Sequence, residues 1–266
     1  MNYRIEGDGP LLVCLPGLDG TSNLFYKQTP GLASRYRVAL ITLPDLGNFT
    51  YEDMAGDVAS VIRELGHERA IVLGESFGGT VALWFALLHP ELVDRLIIIN
   101  SFPRFRKRTL LWAGLVLARK APPGLVWFVR RAGNTIGLLL DGVGREDRRR
   151  FHEAVRSIRV EGYARRLELI KELDISDRIH DINAPTLLIA GGQDLLVPSA
   201  KEAAAMATRI PGATVRVVPG AGHACLLGDK VSVSDLLEAW IRTEQSGSAR
   251  LMPEVRMRQD LGHLKQ

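Results

Sequence analysis

The chain has 266 residues, of which 46% are hydrophobic and 24% charged. This balance is typical of a soluble globular protein that has one large core, or one domain carrying an insertion. The longest uncharged stretch, residues 76–90, is too short to span a bilayer, so we predict no transmembrane helix. The first eight residues lack the apolar core of a signal peptide, so we expect a cytoplasmic protein.

The net charge of +4 is unevenly distributed along the chain. Residues 104–166 hold 16 Lys and Arg against 5 Asp and Glu, a surplus of 11 that leaves the other residues at −7. The two cysteines, Cys14 and Cys225, are too few for a disulfide scaffold, and their apolar neighbours predict buried, reduced thiols.

Short apolar runs alternate with helical patterns through most of the chain. Taken in order, strands are predicted at 2–6, 11–15, 37–43, 70–73, 95–100, 185–190 and 215–218. Helices are predicted between them at 23–34 with an interruption at Pro30, then at 50–65, 80–88, 199–209 and 230–243. This alternation predicts an α/β fold whose mostly parallel sheet is covered by helices on both faces.

The alternation breaks between residues 101 and 184, where helical patterns follow one another without a convincing strand. We interpret 101–184 as a helical cap inserted into a core formed by residues 1–100 and 185–243. Residues 244–266 are rich in Ser, Gly, Arg and Gln, a composition that predicts a mobile tail.

The segment Gly74-Glu75-Ser76-Phe77-Gly78-Gly79 lies where a predicted strand turns into a predicted helix. So sharp a turn forces its central residue into a strained backbone and needs small flanking residues, which the glycines supply. The strain presents the Ser76 hydroxyl at the tip of the turn, above the positive end of the helix. Ser76 is therefore the candidate nucleophile, whereas the plain alternative is an ordinary turn.

A serine hydroxyl needs a base, usually a histidine that a carboxylate orients. Asp194 and His223 each follow a predicted strand, and loops at the carboxyl ends of parallel strands converge on one edge of the sheet. We therefore predict a Ser76, His223 and Asp194 triad. Taken singly, the aspartate could cap a helix and the histidine could simply occupy a loop. Asp45, which also follows a strand, is the reserve acid.

The glycine-rich segment 16–21 follows the strand at 11–15. Such a loop can turn backbone N–H groups toward an oxyanion, and the backbone N–H groups of Leu18 and Phe77 are the two predicted donors. A tight turn is an equal alternative for the loop. Asp19 could then cap the next helix.

Together the Pro16-Gly17-Leu18-Asp19-Gly20 loop, the Ser76 turn, the Asp194 loop and Gly222-His223 resemble the α/β-hydrolase family over about residues 10–243. The first loop and the Glu75-Ser76-Phe77 turn are similar to the branch that includes the hydrolase part of plant phytyl ester synthases. This resemblance implies an esterase or acyltransferase acting on a lipid-like substrate. A departure is the proline at position 16, where the wider family often has histidine. The serine nucleophile argues against the dehalogenases and epoxide hydrolases of this fold, which use aspartate.

Between residues 104 and 131, blocks of apolar residues are flanked by clusters of arginine. Such a surface can lie on anionic lipid, so peripheral membrane contact is one interpretation. The interpretation we favour is a cap whose apolar side chains pack inward, partly lining a pocket for an acyl chain, while its arginines face water.

The sequence therefore predicts a serine hydrolase that cleaves a carboxylic ester, or transfers its acyl group, through a covalent acyl-enzyme. We expect a small-molecule ester as substrate, no cofactor, no metal and no nucleic acid, and the oligomeric state is open. The alternatives are a thioesterase or carbon–carbon bond hydrolase that uses the same triad, or a non-catalytic small-molecule receptor.

Overall fold

The computed structural model describes residues 1–120, 143–156 and 158–246. Their backbone forms a seven-stranded sheet with helices packed on both faces. Within these ranges, no helix has the length and apolar character needed to cross a lipid bilayer. The predicted fold class, a mostly parallel α/β sheet covered by helices, is confirmed.

The seven strands follow the predicted positions closely. In chain order, β1 to β7 are Asn2–Glu6, Leu11–Leu15, Arg37–Thr42, Ala70–Glu75, Val93–Ile99, Thr186–Gly191 and Thr214–Val218. They lie side by side in the order β1-β3-β2-β4-β5-β6-β7. Only β1 runs antiparallel to its neighbour, and the remaining pairs are parallel. The central strand β4 therefore lies between β2 and β5, and the loops that follow these three strands adjoin one another.

Eight α-helices lie in the described residues. In order, α1 to α8 are Thr29–Ala33, Tyr51–Glu64, Phe77–Leu88, Arg108–Lys120, Arg145–Arg156, Val160–Glu172, Ser199–Ala207 and Val233–Gln245. The capping box between Thr50 and Asp53 starts α2, because each side chain accepts a hydrogen bond from the other residue's backbone N–H.

Several helix boundaries differ from the predicted ones, since α3 begins at Phe77 rather than at residue 80, and the helix predicted at 199–209 ends at Ala207. Two further differences have a clear local reason. The predicted helix at 23–34 is a short 3₁₀ helix, Ser22–Phe25, followed by α1, because Pro30 has no N–H and fits only the first turn. The predicted helix at 230–243 begins at Val233, because the Ser232 hydroxyl caps it, and it continues to Gln245. The rest of the predicted tail, from residue 247, lies outside the described residues.

The sheet separates two apolar layers, since alternate residues of each strand face opposite sides. In β2, Val13 contributes to the layer with α2 and α3, whereas Cys14 contributes to the layer with α1 and α8. Both cysteines are buried free thiols, as predicted.

The helix α3 lies unusually close to the sheet, and glycines make this possible. A Cβ atom at Gly78 would collide with the carbonyl oxygen of Leu15 in β2, and one at Gly74 would collide with the carbonyl oxygen of Gly78. The sharp strand-to-helix turn at residues 74–79 therefore requires glycine on both sides of Ser76.

The described part of the segment between β5 and β6 is helical. It contains α4, α5 and α6, and α4 packs against α6. An isolated backbone bridge joins Arg104 to Asp174 near the two ends of this segment. The division into a core of residues 1–100 and 185–243 and a cap of residues 101–184 stays a prediction.

Substitution of the two helical glycines Gly78 and Gly56 tests this packing. We expect Gly78→Ala to lower the free energy of unfolding by about 1–3 kcal/mol, since the new methyl group collides with Leu15. Gly56→Ala in α2 meets open space and should raise that free energy by about 0.5–1 kcal/mol. Urea denaturation of both variants checks the contrast, and equal stabilities would contradict the packing argument.

Candidate active site

Ser76 lies at the junction of β4 and α3, in a backbone conformation that side chains seldom adopt. Its φ and ψ are 54° and −116°. Among the described residues, Asn100 is the one other non-glycine residue with a positive φ, at 48°. Positive φ in a residue that has a Cβ costs free energy and clusters at functional sites. The predicted strained turn at Ser76 is therefore present.

The side chains of Ser76, His223 and Asp194 form a chain of hydrogen bonds. The distance between Ser76 Oγ and His223 Nε2 is 2.9 Å, and the distance between His223 Nδ1 and Asp194 Oδ2 is 2.7 Å. The three residues are 8%, 5% and 8% exposed, in that order. The fold thus brings together three residues that 147 positions separate in sequence. This geometry matches that of a nucleophile, a base and an orienting acid.

The carboxylate of Asp194 is held by its own loop as well as by the histidine. Its Oδ1 accepts hydrogen bonds from the backbone N–H groups of Leu196 and Val197, each at 3.0 Å. The hydroxyl of Ser199 donates to Oδ2 at 2.5 Å. These bonds leave the carboxylate one orientation, with Oδ2 toward His223.

Burial lowers the pKa of His223, but the Asp194 carboxylate beside it, the hydrogen bond between them and the charge of Glu75 raise it more. The result is a pKa above the ordinary 6.5 of histidine. Glu75, directly before the nucleophile, is itself affected. Burial, opposed by the charge of His223 and reinforced by Asp19 and Asp194, raises the pKa of Glu75 to about 7. A carboxyl group that titrates near neutral pH therefore lies beside the serine and histidine.

The loop after β2 adjoins the Ser76 turn and is held in place from α6. The side chain of Arg166 is fully buried, and its Nε donates to the carbonyl oxygen of Leu18 at 3.1 Å. Gly20, whose φ is 71°, leaves room for the guanidinium group. Phe77 is the first residue of α3, so its N–H lies at the amino-terminal end of the helix. That Leu18 and Phe77 donate to an oxyanion stays a prediction.

Asp19 does not cap the following helix. Its Oδ2 accepts hydrogen bonds from the N–H and hydroxyl of Thr21, at 3.0 and 2.8 Å, which closes a turn within the loop. Burial raises the pKa of Asp19 to about 6, although its bonds to Thr21 and the charge of Arg166 oppose the rise.

Asp45, the reserve acid, has a different partner. Its Oδ1 accepts a hydrogen bond from Arg166 Nη2 at 2.9 Å, and Nη1 of the same guanidinium group donates to the carbonyl oxygen of Pro44. Gly162 of α6 packs directly on Asp45. The Asp45 side chain thus joins the loop after β3 to α6, and the carboxylate hydrogen-bonded to His223 is that of Asp194.

Several residues around the site were missed in the sequence. Glu75 could have been noticed as a charged residue beside the nucleophile, and Ser199 as a hydroxyl five positions after Asp194. Arg166 had no signal, since it is one arginine in a basic segment, and its burial depends on the fold. The described residues contain no group of three or more His, Cys, Asp or Glu arranged to hold a metal ion.

The site and the fold agree with comparison to known proteins. A sequence model of the alpha/beta hydrolase fold matches residues 10–229. The chain belongs to this family. The predicted family membership and the predicted enzyme class, an α/β-hydrolase, are confirmed.

Individual relatives cover nearly the whole chain. A pimeloyl-(acyl-carrier protein) methyl ester esterase of Aeromonas hydrophila is 31% identical, over 91% of this chain and 100% of its own. A Serratia proteamaculans protein, provisionally named a carbamate hydrolase (RutD), is 26% identical over 92% and 95%. Among solved structures, an esterase of Thermogutta terrifontis has a TM-score of 0.77 at 24% identity, with 91% and 93% of the two chains covered. The last similarity shows the fold alone.

Acidic side chains pair with several arginines of the basic segment, residues 104–166. Ion pairs join Arg104 to Asp174 at 3.1 Å, Arg106 to Glu202 at 3.1 Å, and Arg119 to Glu168. The apolar and arginine blocks at 121–131 lie outside the described residues. The pairing favours the interpretation in which the basic segment packs on the protein, and peripheral membrane contact stays a prediction.

The pKa directions give a pH prediction. If neutral His223 is the base, kcat/KM should rise with pH through a midpoint above 6.5, since the raised pKa keeps the imidazole protonated below it. Glu75→Gln removes a negative charge that favours the imidazolium form, so the midpoint should move to lower pH. A pH–rate profile measures both. Glu68→Gln, at the opposite end of β4, is the control and should leave the midpoint unchanged.

The same variant has a stability signature. Glu75, Asp19 and His223 all have raised pKa values in the folded protein, so between about pH 5 and 7 the folded state binds more protons than the unfolded state. The free energy of unfolding should therefore fall as pH rises through this range, and Glu75→Gln should flatten the fall. An unaltered slope in the variant would argue against the raised pKa of Glu75.

Proposed function

We propose that the protein is a serine hydrolase that cleaves a carboxylic ester through a covalent acyl-enzyme. The observation that carries this proposal is the hydrogen-bonded chain from Ser76 Oγ through the His223 ring to Asp194 Oδ2. A buried serine on a strained turn with a base at 2.9 Å is the arrangement of an activated nucleophile.

In the first half of the reaction, Ser76 Oγ attacks the acyl carbon of the ester while His223 Nε2 takes the hydroxyl proton. Asp194 holds the imidazole tautomer whose Nδ1 carries hydrogen and stabilises the imidazolium that forms. The oxyanion lies between the N–H groups of Leu18 and Phe77, and one such donor is worth about 10²–10³ in rate. The imidazolium then protonates the leaving alcohol, and the acyl group stays on Ser76.

In the second half, His223 takes a proton from water as the water oxygen attacks the acyl carbon. The imidazolium then returns this proton to Ser76 Oγ as the bond between Oγ and the acyl carbon breaks, which releases the acid and restores the Ser76 hydroxyl. An alcohol in place of water gives acyl transfer by the same steps. The relative from Aeromonas hydrophila, named a methyl ester esterase, supports a carboxylic ester over a thioester or a carbon–carbon bond as the substrate of this chain.

Apolar side chains at the edge of the sheet favour a hydrophobic acyl part. Leu46 follows β3 and is 62% exposed, and Leu195 directly follows the triad acid and is 58% exposed. Both lie beyond the carboxyl ends of strands, the edge of the sheet where Ser76 lies. Exposed leucines at this edge of the sheet are suited to contact an alkyl chain.

Ser76→Ala tests the nucleophile. The variant should lose hydrolysis of p-nitrophenyl esters and labelling by a fluorophosphonate probe while keeping its circular dichroism spectrum, since only one oxygen atom is removed. Ser60→Ala, on the exposed face of α2, is the matched control and should keep both activities. Ester turnover by folded Ser76→Ala would refute the proposal, and wild-type protein that resists the probe would instead support a non-catalytic receptor.

A series of p-nitrophenyl esters tests the acyl preference. We expect kcat/KM to be higher for octanoate than for acetate, and Leu195→Ser and Leu46→Ser to reduce that ratio by removing apolar contacts worth about 1–3 kcal/mol. Leu88→Ser, at the far end of α3, is the control and should leave the ratio unchanged. Equal turnover of short and long esters would contradict a hydrophobic acyl site. A parallel assay with an alcohol acceptor separates hydrolysis from transfer.

A further inference from the structure

Asn100 is the residue that directly follows β5. In the sheet, β5 lies between β4, which leads to Ser76, and β6, which leads to Asp194. It is buried, and its φ is 48°. Its side chain takes no part in the proposed reaction steps. Ser76 and Asn100 are the two non-glycine residues with a positive φ in the described part of the chain. They directly follow β4 and β5, which are adjacent parallel strands. Strain of this kind persists only where surrounding contacts enforce it, so the contacts of Asn100 must hold its backbone in this conformation.

The Asn100 side chain bonds to two separate loops of the site. Its Nδ2 donates to the carbonyl oxygen of His223 at 2.7 Å and to that of Gly222 at 3.2 Å. Its Oδ1 accepts from the backbone N–H of Gly191 at 2.7 Å. Gly191 ends β6 and begins the loop that carries Asp194, whereas Gly222 and His223 belong to the loop after β7. One amide group therefore holds the acid loop and the base loop at a fixed separation.

The next residue connects this point to the nucleophile. Ser101 Oγ donates to the carbonyl oxygen of Ser76 at 2.7 Å. The Ser76 N–H donates to the carbonyl oxygen of Ile99, which precedes Asn100. The end of β5 is thus bonded to the backbone of all three loops that carry the candidate triad.

We infer that Asn100 is a positioning residue that sets the place of His223 between Ser76 and Asp194, with Ser101 fixing the nucleophile turn against it. This inference rests on the proposed function. An imidazole must lie within hydrogen-bond reach of both partners, and a displacement of 1 Å in such a site can cost about 10²-fold in rate. Without the amide, the carbonyl group of His223 loses a bond that fixes its backbone, and the acid loop loses its attachment to the same point.

The left-handed backbone narrows the choice of side chain. Asparagine tolerates a positive φ better than most residues, and its amide presents both a donor and an acceptor. Asn100→Gly is therefore the informative variant, because glycine accepts the same backbone conformation while it removes every side-chain bond. Asn100→Asp keeps an acceptor for the Gly191 N–H but loses the donor to the base loop.

Gln28 offers a matched control. Its buried amide makes a comparable set of bonds, with Nε2 donating to the carbonyl oxygens of Leu226 and Val231 and Oε1 accepting from the Val233 N–H. Asn100 Nδ2 has one partner more, the Sγ of Cys225 at 3.2 Å. These bonds tie Gln28, just before α1, to the chain beyond His223 and to the first residue of α8, but none of them reaches the backbone of Gly191 or His223. Gln28→Ala therefore removes an equivalent hydrogen-bond set without releasing the base.

The experiment compares steady-state kinetics on a p-nitrophenyl ester with the low-field proton NMR signal of His223 Nδ1–H. For Asn100→Gly we expect kcat to fall by about 10²-fold with KM little changed, and the proton signal to broaden or disappear. Gln28→Ala should keep the kcat and the signal of the wild-type protein, even if it unfolds more easily. Ser101→Ala should lower kcat by a smaller factor than Asn100→Gly.

Each outcome is informative. Wild-type kcat and an intact signal in Asn100→Gly would overturn the inference, as would an equal loss of kcat in Gln28→Ala, since the effect would then be general destabilisation. If Asn100→Gly does not fold, the same comparison is made with Asn100→Asp, which should lose kcat and the signal. If the wild-type protein does not turn over esters, the proposed function fails, but the NMR comparison still tests the placement of His223 by Asn100.

Discussion

The hydrogen bond between Ser76 Oγ and His223 Nε2 depends on a backbone conformation that the rest of the structure must enforce. Ser76 holds a φ of 54° because β4 must turn into α3 within one residue. This turn requires glycine at positions 74 and 78, since a Cβ atom at either position would prevent α3 from packing against the sheet. The parallel order of the strands then places the loops after β2, β5, β6 and β7 along the same edge. The candidate chemistry is thus a consequence of strand direction and of close helix–sheet packing.

Buried polar groups around this edge are satisfied mainly by the backbone of neighbouring loops. Asp194 is held by two N–H groups and one hydroxyl, Arg166 by two carbonyl oxygens and Asp45, and Asn100 by the loops on either side of it. Displacing one of these loops would leave a buried polar group without a hydrogen-bond partner, at a cost of about 1–3 kcal/mol. The hydrogen bonds therefore hold each loop in place. This arrangement favours a pre-organised site. The basic segment also takes part, because Arg166 of α6 reaches the loop that holds Leu18.

Two acidic residues outside the candidate triad, Glu75 and Asp19, also affect the charge near Ser76. Glu75 and Asp19 have raised pKa values of about 7 and 6, so the negative charge beside the Ser76 turn grows as pH rises toward neutrality. Because Glu75 is among the causes of the raised histidine pKa, the residue before the nucleophile influences the residue that activates it. Arg166 of the basic segment opposes the raised pKa of Asp19, whereas Arg104, Arg106 and Arg119 of the same segment pair with Asp174, Glu202 and Glu168.

The sequence by itself determined the strand and helix alternation, the strained turn at Ser76 and the positions of Asp194 and His223, because apolar periodicity, glycine spacing and strand ends are local properties. Helix boundaries near Pro30 and Ser232 shifted by a few residues, because Pro30 lacks an N–H and the Ser232 hydroxyl caps α8. Only the tertiary structure decided the roles of Arg166, Asn100 and Ser199, and the partner of Asp45. Such residues look ordinary in sequence, because burial and hydrogen bonding between distant loops exist only after the strands have assembled. The carboxyl edge of the sheet is where local patterns end and these long-range contacts begin.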